Sequence, residues 1–320
     1  MSKYRVYIDQ SVVGDFHEFI SDWSRLQQSQ DIEWVYSNTH FEEIRRSVNP
    51  LIFLAVFENL KAQYIEVVLD DKFKMTGEAR IHPHSSPYQQ YERYLTTMGE
   101  VPLDEKLFHP MLARLNGADN FEQLTLLPEK FQSQLEGILA PAGLWDDQVA
   151  ENISCHAKEL AQFVDEKLAE TRSLETLRKL IGTDKGKIGN LKTTDNPVQE
   201  IWKIISAKFN GISADQFFGF DPPHKPGYDS WPLYLGIIGC YQMLNSLGYR
   251  ADKKISCEEK VPNTLSDSAH VAHAAFCDVL MSGDSRLCDK ARAIYRYKDI
   301  KTQVLHTKFE KNLHGRAEAP

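Results

Sequence analysis

The chain opens with Tyr4-Arg-Val-Tyr-Ile-Asp-Gln-Ser11, a short run of β-branched and aromatic residues that leads directly to the carboxylate of Asp9. Such a run is typical of a buried central strand. Two further strand-like runs, Glu33 to Ser37 and Tyr64 to Leu69, are separated by helical patterns, and strand–helix alternation returns over residues 267–304. This alternation predicts an α/β fold in which helices cover both faces of a parallel sheet.

The middle of the chain has a different pattern. Residues 76–90 are rich in His, Pro and Ser, which predicts an irregular loop, and residues 103–210 are almost wholly helical in pattern. We therefore expect one discontinuous α/β domain built from residues 1–75 and 230–306. A mostly α-helical insertion would occupy residues 76–229, and residues 307–320 would form a flexible tail.

Composition excludes several classes of protein. The longest apolar runs are far shorter than the roughly 18 residues that a membrane span needs, and no secretory signal pattern opens the chain. Five cysteines without a CxxC pair disfavour a disulfide framework and a structural zinc site, so we expect a cytoplasmic protein. The net charge of −8 argues against indiscriminate binding to nucleic acid, but leaves a local basic patch open.

The segment from residue 266 to residue 284 carries three aspartates. With Ser266 as N-cap, Asp267 would lie in the first turn of a helix that ends near Cys277. Asp278 would then lie roughly 16 Å along the axis from Asp267, at about 1.5 Å per residue. A short strand, Val279 to Ser282, would return the chain by roughly 13 Å and bring Asp284 back beside Asp267. Asp278 is therefore expected to be structural.

Asp9 and Asp284 both follow strands, and ligands of parallel α/β sheets bind outside the carboxyl ends of the strands. Glu43 lies in the helix after the second strand, where it shares a face with Thr39. Four carboxylates crowded together would repel one another strongly without a cation. The hard ions Mg²⁺ and Mn²⁺ suit such a set, which predicts a metal site at Asp9, Glu43, Asp267 and Asp284.

These segments resemble the PIN-like nuclease superfamily. The resemblance is carried by the strand followed by Asp9-Gln-Ser11, by Tyr36-Ser-Asn-Thr-His-Phe-Glu-Glu43, by Asp267-x-x-His270 and by Ser282-Gly-Asp284-Ser-Arg-Leu287. It covers roughly residues 1–70 and 230–305, and the long middle has no counterpart. It implies a PIN-like domain and a metal-dependent endoribonuclease whose acidic cluster is Asp9, Glu43, Asp267 and Asp284. It also implies that Ser11 and Ser282 lie beside the metal-site aspartates.

For several secondary residues, the sequence leaves two roles open. His270 shares a helix face with Asp267, where it either contacts substrate or a carboxylate, or is a buried structural histidine. Thr39 is favoured as a helix N-cap over a hydroxyl near the metal. Of the adjacent glutamates, Glu43 is favoured over Glu42, because it lies one helical repeat from Thr39. Candidate phosphate contacts, which solvated helix faces explain equally well, are Arg45, Arg46 and Arg286.

The predicted substrate is nucleic acid, with RNA favoured, and its class stays open. A regulatory or inhibitory protein partner, a homo-oligomer, and a toxin or defence role also stay open. Phosphatase chemistry with Asp9 as nucleophile ranks low, because Ser11 stands where that chemistry needs an acid. The main alternative is a PIN-like interaction module without catalysis.

Overall fold

The computed structural model describes residues 3–19, 31–100, 105–169, 178–179, 181–183, 188, 191, 194–225, 227–253 and 255–307. The predicted tail therefore lies outside the described residues, apart from Thr307. Within these ranges, no helix combines the length and the apolar character that crossing a membrane requires.

Six strands form one mixed sheet. They are β1 (Tyr4–Ile8), β2 (Ile32–Ser37), β3 (Gln63–Leu69), β4 (Met75–His82), β5 (Val279–Ser282) and β6 (Gln303–His306). Their order is β4-β3-β2-β1-β5-β6. All neighbours pair in parallel except β3 and β4, which are antiparallel. The α/β class is confirmed, and the expectation of a purely parallel sheet is wrong at this one edge.

Helices occupy most of the remaining described chain. The α-helices are α1 (Gln10–Phe19), α2 (Asn38–Ile44), α3 (Leu51–Leu60), α4 (Pro87–Glu100), α5 (His109–Leu115), α6 (Phe121–Thr125), α7 (Leu127–Leu139), α8 (Asp147–Phe163), α9 (Pro197–Ile205), α10 (Ala214–Phe217), α11 (Leu233–Leu247), α12 (Val261–Ala274) and α13 (Ser285–Tyr297). Val164–Leu168 is a π-helical turn, and Glu105–Phe108, Ser206–Lys208 and Glu258–Lys260 are 3₁₀ turns.

The carboxyl-terminal part of β1, Val6 to Ile8, is buried on both faces of the sheet. Successive strand residues point to opposite faces, so Tyr7 lies in one core while Val6 and Ile8 lie in the other. The Tyr7 core includes apolar residues of α9, α11, α12 and α13. The Val6 core includes residues of α1, α2 and α3. A separate small core, with Leu124 and Leu127 at its centre, joins the helices between residues 105 and 168.

The prediction of an irregular loop over residues 76–90 is wrong. Met75–His82 is strand β4 and Pro87 begins helix α4. β4 pairs with β3 from Tyr64 opposite His82 to Leu69 opposite Met75. An exposed edge strand tolerates the His- and Arg-containing sequence that suggested a loop, because its backbone hydrogen bonds do not depend on side-chain polarity. The sheet therefore extends past the predicted boundary at residue 75.

Two predicted helix starts are also wrong. α12 begins at Val261, with Pro262 in its first turn, so Ser266 is not the N-cap and Asp267 lies in the helix interior. The helix ends at Ala274 rather than near Cys277. In α2 the N-cap is Ser37, the last residue of β2, and Thr39 lies inside the helix.

Candidate functional site

The order in which the chain adds strands to the sheet reverses at β1. The chain first adds β2, β3 and β4 on one side of β1 and later adds β5 and β6 on the other side. The carboxyl ends of β1 and β5 therefore form a topological switch point, where open α/β sheets bind ligands. Asp9 directly follows β1, and Asp284 lies two residues beyond β5.

Asp9 is the buried centre of this edge, with only 4% of its surface exposed. Its Oδ1 accepts hydrogen bonds from Ser11 Oγ at 2.6 Å and from the Val12 backbone N–H at 3.1 Å. Its Oδ2 accepts from Ser282 Oγ at 2.5 Å. Burial raises the pKa of Asp9, although His270 and the two hydroxyls oppose that rise.

The two hydroxyls also receive hydrogen bonds from the turn after β5. The N–H of Gly283 donates to Ser11 Oγ at 2.9 Å, and that of Asp284 donates to Ser282 Oγ at 3.0 Å. Each hydroxyl thus accepts from the turn and donates to Asp9, which ties the two ends of the chain together. A Cβ at Gly283 would lie 2.9 Å from Ser11 Oγ, so only glycine fits this contact.

Asp284 is exposed and caps helix α13. Its Oδ1 accepts hydrogen bonds from the backbone N–H groups of Arg286 at 2.6 Å and Leu287 at 3.1 Å. This N-cap fixes the carboxylate at the start of the helix, where the helix dipole favours negative charge.

Glu43 and His270 form the second pair of the edge. His270 Nε2 lies 3.6 Å from Glu43 Oε2, an ion-pair distance too long for a hydrogen bond. Burial opposes ionisation of Glu43, but His270 and Arg46 outweigh burial and lower its pKa. His270 is 1% exposed, and its buried Nε2 has no hydrogen-bond partner. His270 is therefore both a buried histidine and a neighbour of a carboxylate.

A buried polar chain holds His270 in place. The Tyr7 hydroxyl lies 2.8 Å from His270 Nδ1 and 2.7 Å from Ser37 Oγ. His40 has a different, structural role that the sequence did not reveal. Its Nδ1 accepts the Ser37 N–H at 3.1 Å, so the ring is neutral and Nε2 donates to the Ile8 carbonyl at 2.6 Å.

Asp267 and Asp284 line one cleft of about 610 Å³ together with Asp252. Burial raises the pKa of Asp267 well above its usual value. The carboxylates of Asp252, Glu43 and Asp284 act in the same direction, and Lys290 opposes them. The basic residues on the same cleft are Lys253, Lys260 and Arg286. The cleft thus combines an acidic cluster with basic side chains.

Asp252 and Lys290 were missed by the sequence interpretation. Lys290 Nζ bonds to Asp252 Oδ1 at 2.5 Å, although Lys290 is fully buried. Asp252 belongs to an irregular segment and Lys290 to an amphipathic helix. Neither residue is part of a sequence motif that predicts a functional site. Only the tertiary contact reveals the pair.

The structure places the other predicted residues in several positions relative to the carboxyl ends of β1 and β5. Asp278 is at the opposite, amino end of β5, where it accepts the Arg5 N–H at 2.8 Å. The Thr39 hydroxyl lies 3.4 Å from His273 Nδ1. Arg46 donates to Asn263 and Ser266 of α12 at 3.4 Å. Arg45 is exposed at the end of α2. Burial raises the pKa of Tyr91, and the charge of Arg45 opposes that rise.

A larger cavity of about 730 Å³ lies at the amino ends of β2 and β3. Its lining includes Ile32, Gln63 and Ser86 and none of the predicted site residues. Its position away from the strands' carboxyl ends makes the smaller acidic cleft the better candidate site.

The donor chemistry of the acidic edge suits Mg²⁺ or Mn²⁺, because both ions prefer carboxylate oxygen. The orphaned Nε2 of His270 and the like-charge crowding at Asp267 are features that a bound group would relieve. Among the described residues, however, no three His, Cys, Asp or Glu side chains are grouped closely enough to hold a metal ion. Asp9 is engaged by hydroxyls and Asp284 by helix capping, so the carboxylates are not gathered around one point.

No protein-family model matches this chain, and comparison with curated proteins and with solved structures gave no significant match.

Proposed function

We propose that the chain is a Mg²⁺- or Mn²⁺-dependent endoribonuclease of PIN-like type. The observation that carries this proposal is the crowding of carboxylates on one cleft at the switch point of the sheet, which Asp252, Asp267 and Asp284 line together. Such crowding is unfavourable in the free protein and becomes favourable when a cation binds.

The residues proposed to hold the ion are Asp9, Glu43, Asp267 and Asp284, which the described structure does not gather around one point and which the ion would have to draw together. A bound ion would activate water and neutralise charge on the scissile phosphate. Ser11 and Ser282 fix the orientation of the Asp9 carboxylate through short hydrogen bonds. Tyr7 fixes the ring of His270, whose Nε2 faces Glu43 and keeps that glutamate ionised.

A phosphodiester substrate agrees with the charges of the cleft. Lys253, Lys260 and Arg286 lie on the same cleft as the acidic residues and would contact backbone phosphates. The choice of RNA over DNA rests on the resemblance alone. A cytoplasmic location, and a toxin or defence role under an inhibitory partner, are further parts of the proposal. The five cysteines, all free, agree with that location.

The direct test is cleavage of single-stranded RNA in Mn²⁺ or Mg²⁺ by the wild type, Asp9→Asn and Asp267→Asn. We expect each substitution to reduce the rate by roughly a hundredfold or more, because removing even an outer partner of a metal site costs about 10–100-fold. Asp278→Asn is the matched control, since Asp278 lies at the opposite end of β5. Equal cleavage by all four proteins would contradict the proposal.

A PIN-like module without catalysis is the second candidate. It is favoured by the finding that no three potential ligands in the described part of the chain are grouped for a metal ion. Mn²⁺ titration separates the two candidates. A catalytic metal site predicts stabilisation of about 2.7 kcal/mol at a Mn²⁺ concentration roughly 100 times Kd. Absence of any stabilisation at millimolar Mn²⁺ would favour the module.

A further inference from the structure

We propose that the tip of the hairpin between β3 and β4 binds a single-stranded segment of the nucleic-acid substrate by stacking a base on the ring of Phe73. This inference rests on the proposed function and names a substrate contact outside the acidic cleft. It is carried by the place of the hairpin in the sheet, by the backbone of its tip and by the exposure of Phe73.

The hairpin projects from the same edge of the sheet as the acidic cleft. β3 runs parallel to β2 and β1, so its carboxyl end lies at the edge that carries Asp9 and Asp284. The last pair between β2 and β3 is Ser37 opposite Ile65, yet β3 continues to Leu69. This continuation adds about 13 Å at about 3.3 Å per residue, so the tip lies well beyond the carboxyl end of β2.

The hairpin is also close to the cleft in the direction across the strands. Only β2 lies between β3 and β1 in the sheet. Neighbouring strands are about 4.8 Å apart, which places the hairpin about 10 Å to the side of β1. An extended strand of nucleic acid that enters the cleft can therefore pass along the tip.

Asp70 holds the backbone of the tip in one conformation. Its Oδ1 accepts the N–H groups of Lys72 at 2.9 Å and Lys74 at 2.8 Å, and its carbonyl accepts the Phe73 N–H at 3.1 Å. At the base of the hairpin, the hydroxyl of Tyr228 accepts the first N–H of β4 at 3.1 Å. The tip is thus an ordered turn that presents Phe73 at a fixed place.

The ring of Phe73 contributes little to folding. It is 85% exposed, and the backbone of Phe73 has a φ of 59°. Glycine and asparagine adopt this left-handed conformation with less strain than a bulky residue does. A phenylalanine at this position costs stability without burying its ring, which indicates a role other than packing.

The neighbours of Phe73 in the turn favour a nucleic acid over a protein as its partner. The other residues of the turn, Asp70, Asp71, Lys72 and Lys74, are charged, and charged residues are depleted around the aromatic centres of protein interfaces. A ring among charged groups suits base stacking, because every base has a π-face. Exposed Lys72 is placed to neutralise a backbone phosphate beside the stacked base.

The test is the binding of a fluorescein-labelled single-stranded RNA to the full chain in chelator, measured by fluorescence anisotropy. We expect Phe73→Asn to bind at least about fivefold more weakly than the wild type, the loss expected of one base–aromatic stack. Phe73→Trp should bind at least as tightly as the wild type, because it keeps an aromatic face. A duplex of the same sequence should bind all three proteins equally, since its bases are not free to stack on the ring.

Tyr4→Asn is the matched control. Tyr4 is an aromatic residue that is 62% exposed at the amino end of β1, on the opposite edge of the sheet. It should bind the single strand as the wild type does. Urea denaturation should give Phe73→Asn a midpoint equal to or above that of the wild type, because asparagine relieves strain. A lower midpoint would show that the ring packs against the protein, which would overturn the inference.

Cleavage of the same RNA in Mn²⁺ separates this inference from the proposed function. A wild type that cleaves the RNA, with Phe73→Asn binding it equally tightly, would overturn the inference and support the proposed function. Binding that depends on Phe73, without cleavage by the wild type, would support the contact and contradict the nuclease activity. A wild type that neither binds nor cleaves the RNA would overturn both.

Discussion

At the scale of single residues, Asp9 is held by side chains from both ends of the chain. Ser11 follows it by two residues, whereas Ser282 lies in β5 and reaches it across the sheet. The resemblance implied that both serines lie beside aspartates of a predicted metal site, and the structure brings both serines to Asp9 itself. The pair of Asp252 and Lys290 could not be predicted in this way. A lysine on an amphipathic helix is normally exposed, and only packing shows that this one is buried.

Gly283→Ala is the residue-scale test of this arrangement. The new Cβ would lie 2.9 Å from Ser11 Oγ and would push the hydroxyl away from Asp9. We expect a loss of about 1–3 kcal/mol in the free energy of unfolding, the usual cost of overpacking. Urea denaturation measures this loss.

Gly14→Ala in α1 is its control, because among the described residues no atom beyond its chain neighbours and its own helix backbone lies within 4 Å of the added Cβ. Alanine in a helix interior should stabilise the protein by roughly 0.5–1 kcal/mol. Equal effects of the two substitutions would contradict the proposed crowding at Gly283.

At the scale of elements, the predictions were best where a strong pattern met a clear end signal. The apolar run Leu233–Leu247 forms α11, and Gly248 ends it with a φ of 92°, as is typical of a glycine C-cap. Helix starts were harder to predict. Thr39 and Ser266 are both good N-cap residues, but Ser37 and the turn before Pro262 begin the helices. β4 was missed because its stability comes from pairing with β3.

Ile201→Ala tests how α9 is attached to the core. α9 packs against α13, which carries Asp284 and Lys290, and Ile201 is fully buried. We expect a loss of about 2–5 kcal/mol on urea denaturation, the usual cost of such a cavity. The matched control Ile212→Ala removes the same group from a side chain that is 44% exposed, and should change stability by roughly 0.5 kcal/mol or less. Similar losses for both would show that α9 is not part of the core.

At the scale of the whole molecule, the site exists because the two ends of the chain form adjacent parallel strands. β1 pairs with β5 from Val6 opposite Val279 to Ile8 opposite Met281. This pairing places Asp9 beside the turn that carries Asp284. The expected closeness of the two carboxyl strand ends is therefore observed. Asp267 and Asp284 also line one cleft, although α12 starts earlier than the helix from which their closeness was argued.

Stability of the metal-free protein should depend on pH through Asp267. Because its pKa is raised in the folded state, the folded chain binds a proton that the unfolded chain releases above about pH 3.9. The free energy of unfolding should therefore fall as pH rises from that value through the raised pKa of Asp267. The free energy of unfolding should fall by about 1.4 kcal/mol for each pH unit between the pKa of Asp267 in the unfolded chain and its pKa in the folded chain.

Urea denaturation in chelator across this pH range measures the effect. Asp267→Asn should remove much of the fall, because a neutral amide releases no proton. Asp195→Asn should keep it, since Asp195 is 81% exposed and pairs with Arg296 at the surface. Parallel pH profiles for Asp267→Asn and the wild type would contradict this origin.

The sequence by itself determined the α/β class and the strand-end positions of Asp9 and Asp284. These follow from local patterns, since the period of apolar residues and the strand–helix order are written along the chain. Only the tertiary structure decided that β4 joins the sheet, that Asp9 is clamped by Ser11 and Ser282, and that Lys290 enters the acidic cluster. The contacts of Ser282 and of Lys290 join segments far apart in the sequence, and β4 depends on pairing with its neighbour β3. Apolar periodicity along the chain does not encode such contacts.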